Sequence, residues 1–538
     1  MTFWTNRKPW LAPSIVWIGG VGAYWLAVLW VKIFHPGMLI DGFKLRAESS
    51  DTAWQTIRLW EMNVVGPVSL WWEHIYPPLY DGIRFLLMQP ETLRGASPNP
   101  LAVDLRLYFL NSILFGLTAM VVYLWIRDLT GSGWWAAGGA TLWAAVPASL
   151  AFFVLLYQTG LAIAAMSVAF YLLYRFCKTR RFSYSVGFLS ALLVASLTRN
   201  VVQIHVLVVL IIAAVAFWWM AKGRRNWMLA INMLLVALIA FWPARALILY
   251  GTFDVSTHTG YNRAGALWIN PLNTPEFVSS EAKQTYQDYE VVRRALEDPT
   301  QLATLTPDQI QETREEFSRL EQALADIQAE IPGVDIASAG VYPERLESNS
   351  TRLSSNWNTR ETLLDNYRLG EITNQYLLTQ PLEATSAAVR SLGVTIPTMF
   401  RSVYIQWYNN FNMTFGPMRA LDWVFSGWRF GALILLTLLV LIAHFGVRRS
   451  WEQVIRYGWF AVFWWLTAIP VLLSNRYWPP EIPEPTHSEA DRLRGLIDVP
   501  FYVLMVFAGF LIVSRLRRKE SKETRIKHQS TSITEPTK

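Results

Sequence analysis

The chain has 538 residues, 53% of them hydrophobic and only 16% charged, where an ordinary soluble protein carries about 25% charged residues. Its net charge of +7 would suit nucleic acid, but the Lys and Arg residues fall in short runs beside apolar segments. That pattern is a topology signal and excludes nucleic acid from the expected partners. The 27 Trp favour a membrane–water interface, and the single cysteine, Cys177, cannot close an internal disulfide.

Taken in order, Arg7 and Lys8 precede an apolar run from Leu11 to Phe34, long enough to span a bilayer. No small-residue cleavage pattern follows, so an uncleaved signal anchor with a cytoplasmic N-terminus is expected. Residues 35–100 then form a first outer loop. Within it, D-T-A-W-Q-T-I-R-L-W predicts an amphipathic helix capped by Asp51, with Trp54, Ile57 and Trp60 on one face. Further spans are predicted over 104–126, 134–150, 157–176, 184–198, 201–221 and 227–243. The turns expected inside are basic: Arg127; then Arg175, Lys178, Arg180 and Arg181; then Lys222, Arg224 and Arg225. The outer turn over 151–158 has no Lys or Arg, as the positive-inside rule requires.

Residues 244–425 are polar and rich in Pro, Asn, Ser and Thr. Thr306-Pro307 reads as a helix start, with apolar residues at helical spacing from Ile310 to Ile331 and a stop at Pro332-Gly333. Residues 389–408 form a second amphipathic candidate. Asn349-Ser350-Thr351 and Asn412-Met413-Thr414 match the glycosylation tripeptide, a pattern frequent by chance. Three spans follow over 427–446, 455–473 and 499–514, and a basic tail ends the chain. The tail is expected to be disordered beyond its basic run, which ends at Lys527. The predicted fold class is an all-α polytopic membrane protein. It has about ten transmembrane helices, outer juxtamembrane amphipathic helices and a small, mostly helical outer domain. Both termini are cytoplasmic. The segments are a transmembrane module over 1–243, an outer domain over 244–425, a three-helix region over 426–514 and a tail over 515–538.

The residues able to carry chemistry gather outside. Asp41, Glu48, Asp51, Glu73 and Asp81 crowd the first loop, with His74 and Tyr80 among W-W-E-H-I-Y-P-P-L-Y-D. Asp51 fits two roles, a helix N-cap or a general base. Arg199 lies in an outer turn, Thr198-Arg199-Asn200, against the positive-inside trend. It either faces an anion or closes a tight turn. His205 beyond it reads as a packing residue. Arg245 follows the seventh span and either meets a phosphate or snorkels to the interface. Arg492 and Arg494 precede the last span in H-S-E-A-D-R-L-R, where Glu489 and Asp491 offer them ion pairs. No H-E-x-x-H or other metal spacing appears, and no G-x-x-x-x-G-K-[ST], so ATP is not the expected energy source.

This layout resembles the membrane glycosyltransferases of the GT-C class, which include bacterial protein mannosyltransferases and aminoarabinose transferases. The resemblance rests on Glu48-Ser49-Ser50-Asp51 soon after the first span and on His74-Ile75-Tyr76-Pro77-Pro78-Leu79-Tyr80 before the second. It also rests on P-A-R-A-L-I-L-Y-G-T-F-D after the seventh. It departs from the family at Thr52, where an acid is common, and in the spacing of His74 from the prolines. The resemblance implies transfer of a sugar from a polyprenyl-phosphate donor to a glycan, lipid or protein acceptor. Transfer would occur on the outer face, with inversion, at the bacterial plasma membrane. It implies Asp51 or Asp41 as the base. Glu48, His74, Tyr80, Arg199, Arg245, Arg492 and Arg494 would serve substrate. No cofactor is implied, although some members hold a divalent cation. A lipid-linked saccharide flippase and a non-catalytic assembly protein are the alternatives. A flippase predicts polar residues along several spans and pseudo-symmetric halves.

Overall fold

The computed structural model describes residues 11–34, 56–73, 76–154, 156–199, 204–223, 225–250, 256, 305–329, 376–389, 427–445, 458–468 and 489–532. It also describes isolated positions between 284 and 296 and between 370 and 374. The described residues are helical, with no strand among them. In chain order the helices are α1 (Leu11–Phe34), α2 (Leu59–Val65), α3 (Val68–Trp72), α4 (Leu79–Thr92), α5 (Pro100–Thr130), α6 (Gly133–Ala145) and α7 (Pro147–Val154). Then come α8 (Thr159–Thr179), α9 (Phe182–Thr198), α10 (Ile204–Met220), α11 (Asn226–Tyr250), α12 (Pro307–Ala329), α13 (Gly427–Phe445), α14 (Gly458–Ala468) and α15 (Glu489–Ser532). Among the described residues, five segments are long and apolar enough to cross a membrane: Leu11–Leu29, Pro100–Thr130, Thr159–Thr179, Asn226–Leu249 and Asp498–Arg517. Shorter apolar helices include Phe182–Thr198 and Gly458–Ala468.

Local chemistry sets several boundaries. Asn99 caps α5 by accepting from the Leu101 N–H at 3.0 Å, with Pro100 at the first helical position. Gly131 ends α5 in the left-handed region at φ 70°, which costs a glycine nothing. Thr306 and Gln309 form a reciprocal box at the start of α12. The Gln309 N–H donates to Thr306 Oγ1, and the Thr306 N–H donates to Gln309 Oε1. The expected start at Thr306-Pro307 is therefore borne out, and Phe317 packs against buried Leu320 as its spacing predicts.

Three expectations differ. The span predicted over 134–150 is two helices that meet at Val146, held extended at φ −70°, ψ 120° because Pro147 disfavours helix in the residue before it. Of the amphipathic run beginning at Asp51, residues 56–58 are not helical, and a helix begins at Leu59; residues 51–55 lie outside the described residues. The tail, expected to be disordered beyond the basic run that ends at Lys527, is helical through Ser532. The second amphipathic candidate and both glycosylation tripeptides lie outside the described residues.

Among the described residues most buried apolar side chains form one cluster, with smaller ones around Leu320 and around Leu441, Phe507 and Leu511. α1 crosses α5 where Gly20 meets Gly116, and a Cβ on Gly116 would stand 2.6 Å from the Trp17 carbonyl oxygen. Only glycine lets two helix backbones approach this closely. The late helices join the same core. Phe463 stacks edge-on against Phe188 at 5.0 Å, Phe460 against Trp125 at 5.6 Å, and Val506 packs over Gly139.

The bundle has two chemically distinct ends. At one, Asp128 accepts from Arg175 at 2.7 Å and from the Tyr171 hydroxyl, and Lys178 donates to the Asp128 carbonyl. The Lys222 N–H donates to the Arg180 carbonyl, tying two basic turns together there. At the other end lie the start of α5, the turn before α8 and the end of α9. α4 packs on both α5 and α9.

Candidate functional site

The second end is built from the short elements between α1 and α5. The chain at Ile57 is pinned by α4. Asp81 Oδ2 accepts from the Ile57 N–H at 3.0 Å, and Arg84 Nη1 donates to the Ile57 carbonyl at 2.6 Å and to Asp81 Oδ1. Asp81 and Arg84 stand one turn apart, the spacing at which helix side chains meet. Both are buried, and Ile57 itself is 2% exposed. This grip explains why 56–58 are not helical. Both backbone groups of Ile57 are taken by side chains of another element, so neither is available to a helix.

Glu73 ends α3 and is also buried. Its carbonyl accepts from Arg245 Nη1 of α11 at 2.9 Å. The Arg245 guanidinium lies over the ring of Trp242 at 4.3 Å and near that of Trp71 at 5.5 Å. A guanidinium is weakly hydrated and planar, so it tolerates burial between rings where an ammonium would not. Burial, then the Asp81 charge, holds the Glu73 carboxyl well above the usual carboxylate range, against the opposing pull of Arg245 and Arg84.

The wall opposite comes from the turn before α8. Tyr80 donates to the Leu156 carbonyl at 2.5 Å, and burial pushes its hydroxyl far up, so it acts as a neutral donor. Arg199 Nη1 donates to Thr159 Oγ1 at 2.6 Å. Tyr24 of α1 and Asn111 of α5 both donate to the Phe153 carbonyl, which fixes α7 against them.

Of the residues singled out in the sequence, the structure thus brings Tyr80, Arg199 and Arg245 to one end of the bundle, each buried and bonded. Arg492 and Arg494 fall in the first turns of α15, and His205 in the first turn of α10. Asp41, Glu48, Asp51 and His74 lie outside the described residues. Sequence reasoning gave no role to Arg84, Trp71, Trp242 or Thr159, and counted Glu73 and Asp81 only as outer acids. The i,i+3 pair Asp81/Arg84 was a readable signal. Nothing local announced that its target is Ile57.

Among the described residues, no group of three or more His, Cys, Asp and Glu is placed to hold a metal ion. Seven charged side chains are buried among them: Glu73, Asp81, Arg84, Asp104, Arg199, Arg245 and Asp498. Asp104 stands beside Tyr80 and Tyr108, and Asp498 precedes the part of α15 that packs on Gly139. All seven therefore fall on the side of the bundle away from Asp128. No protein-family model and no curated protein matches the chain.

Proposed function

We propose that the chain is a membrane glycosyltransferase of the GT-C type. It moves a sugar from a polyprenyl-phosphate donor to a glycan, lipid or protein acceptor, with inversion, at the outer face of a bacterial plasma membrane. The observation that carries this reading is the gathering of buried charge at one end of an otherwise apolar bundle. A lipid-borne donor keeps its tail in the bilayer and its phosphate at the surface. It needs cations at one end of a lipid-facing bundle and nothing charged along the rest. A flippase needs polar groups along a path, so the segregation favours the transferase.

The opposite end carries exposed Lys178, Arg181, Lys222, Arg225, Arg515 and Arg517. That supports a cytoplasmic placement for it and, with the four shorter apolar helices and the broken α6–α7 pair counted, ten spans with both termini inside. The site then faces outward, where nucleotide sugars are absent and a lipid-carried sugar is the natural donor.

In this mechanism Asp51 or Asp41 takes the proton from an acceptor hydroxyl. The hydroxyl oxygen bonds to the anomeric carbon as the bond from that carbon to the phosphate oxygen breaks. Negative charge grows on the departing lipid phosphate. The charges of Arg245 and Arg199, undiluted by water, offset it. Asp51 is tethered to this end because Ile57 is pinned there, and six residues of fully extended chain reach at most about 20 Å. Tyr80, with Glu48, His74, Arg492 and Arg494, completes the proposed substrate set. A divalent cation enters no step.

The test is donor turnover by purified chain in lipid nanodiscs. A panel of polyprenyl-phosphate-linked hexoses and pentoses is supplied with an envelope extract as acceptor. Release of free polyprenyl phosphate that depends on acceptor supports the reading. Movement of intact donor across a sealed vesicle, without release, supports the flippase instead.

A further inference from the structure

Basic residues beside a span set its orientation, and for that they need no fixed arrangement. At the end of the bundle that holds Asp128, the backbone draws exposed cations together. Arg181 lies in the turn from α8 to α9, Lys222 follows α10, and Arg225 precedes α11. Arg180, beside Arg181, is the one non-glycine residue among those described with a left-handed backbone, at φ 58°. Glycine takes that conformation at the end of α5, and an arginine adopts it at a cost. In this bend the Arg180 carbonyl accepts from the Lys222 N–H at 3.1 Å, which joins the two basic turns. The Arg225 carbonyl accepts from Trp218 Nε1 at 3.2 Å, which ties α10 to the start of α11. No acid stands in the first turn of α9 or of α11, and Asp128 is taken by Arg175 and Tyr171. Like charges drawn together in this way repel unless an anion lies among them.

The face of α10 that leads to Lys222 is apolar and exposed. Val208, Ile211, Ile212, Val215 and Trp219 recur at helical spacing, and the next step along the same face is Lys222. From Val208 to Trp219 the helix rises about 16 Å, close to the hydrocarbon thickness of one leaflet. Exposed Trp219 and Trp227 flank Lys222 and Arg225 in the chain, and the Trp227 ring meets Phe182 edge-on at 5.2 Å. Tryptophan favours the depth where acyl chains give way to headgroups.

We propose that this corner binds an anionic phospholipid, with its phosphodiester between Arg181 and Lys222 and an acyl chain along the exposed face of α10. A phosphodiester spreads one negative charge over two oxygens. The guanidinium forks to both, and the ammonium adds a point charge. A free anion would meet the cations alone. A lipid meets the cations and the apolar stripe together, because the two are successive steps along one helix face. A zwitterionic headgroup brings its own cation and leaves the site's charge uncompensated. The lipid site does not depend on the proposed reaction.

The experiment titrates the full chain, in a neutral detergent, with dioleoyl phosphatidylglycerol or dioleoyl phosphatidylcholine and counts bound lipid by native mass spectrometry. Wild type binds the anionic lipid about 25-fold more tightly than the zwitterionic one, about fivefold for each of two cations. Arg181→Gln with Lys222→Gln loses that preference. The bond that joins the turns runs between backbone groups, so the variant keeps it. Arg515→Gln with Arg517→Gln removes the same charge from exposed positions of α15 and keeps the preference. Glycerol 3-phosphate, with the charge and no acyl chain, does not displace the lipid. Equal losses in the two double variants overturn the proposal, because only net charge would then matter. Equal binding of the two lipids by wild type overturns it as well. Displacement by glycerol 3-phosphate at the lipid's own concentration overturns the lipid as occupant.

Discussion

Arg84 donates to the backbone carbonyl of Ile57 at 2.6 Å across 27 positions of sequence, inside the protein. With Asp81 taking the Ile57 N–H, one ion pair on α4 satisfies both polar groups of a single residue, as a neighbouring strand would. Removing either member strands the other. Arg84→Ala is expected to cost about 3–5 kcal/mol, since it leaves Asp81 as an uncompensated buried charge. Arg84→Lys keeps the charge but cannot fork to both acceptors, and should recover only part of the loss. Denaturation of the detergent-solubilised chain checks the order: wild type, then Lys, then Ala.

Arg245 makes a related test with a different cause. Arg245→Lys preserves charge but loses the planar contact with Trp242 and Trp71, a loss of about 1–2 kcal/mol for a site shielded from water. Trp242→Leu should lower the thermal midpoint by a similar amount, and the double variant should be less than additive. Additive losses would show that the ring contact contributes nothing.

The crossing of α1 on α5 predicts a contrast between neighbouring glycines. Gly116→Ala puts a methyl 2.6 Å from the Trp17 carbonyl oxygen and 2.9 Å from the Val21 side chain. The backbones must separate, at about 1–3 kcal/mol. Gly19→Ala meets nothing within 4 Å and should be neutral or stabilising by up to about 1 kcal/mol, the helix-propensity gain. Thermal midpoints of the two variants should move in opposite directions or differ by that sum.

Phe217 ties the late helices to the early ones, with its ring 4.8 Å from Phe176 and 5.7 Å from Trp459. Phe217→Ala should cost about 3–5 kcal/mol through the cavity it leaves. Proteolysis of the solubilised variant should then cut within 446–457, the connection leading to α14, sooner than in wild type.

What could be read from the sequence was local. The long apolar runs, the Thr306-Pro307 start and the basic turns each carry their signal within a few residues, and the structure has each of them. The break at Val146 was also local, in Pro147, but a hydropathy window passes over a proline without registering it. The break at Ile57 was not local. Residues 51–60 have helical spacing, yet 56–58 are not helical, because donors and acceptors arrive from α4 to take both backbone groups of Ile57. The site divides the same way. Arg245 reads as a span-end arginine, and its neighbour Trp242 lies one turn away on the same helix. Trp71 and the Glu73 carbonyl reach it across 172 positions or more, which no spacing rule records.

The most direct measurement of the proposed chemistry is transfer by Asp51→Asn and Asp41→Asn, side by side, with the polyprenyl-phosphate sugar that wild type turns over. The account predicts that Asp51→Asn stops acceptor-dependent release of polyprenyl phosphate by more than about 100-fold, as loss of a general base does. The same variant should keep the wild-type thermal midpoint. Full transfer by Asp51→Asn with none by Asp41→Asn would move the base to Asp41. Full transfer by both variants would contradict the account.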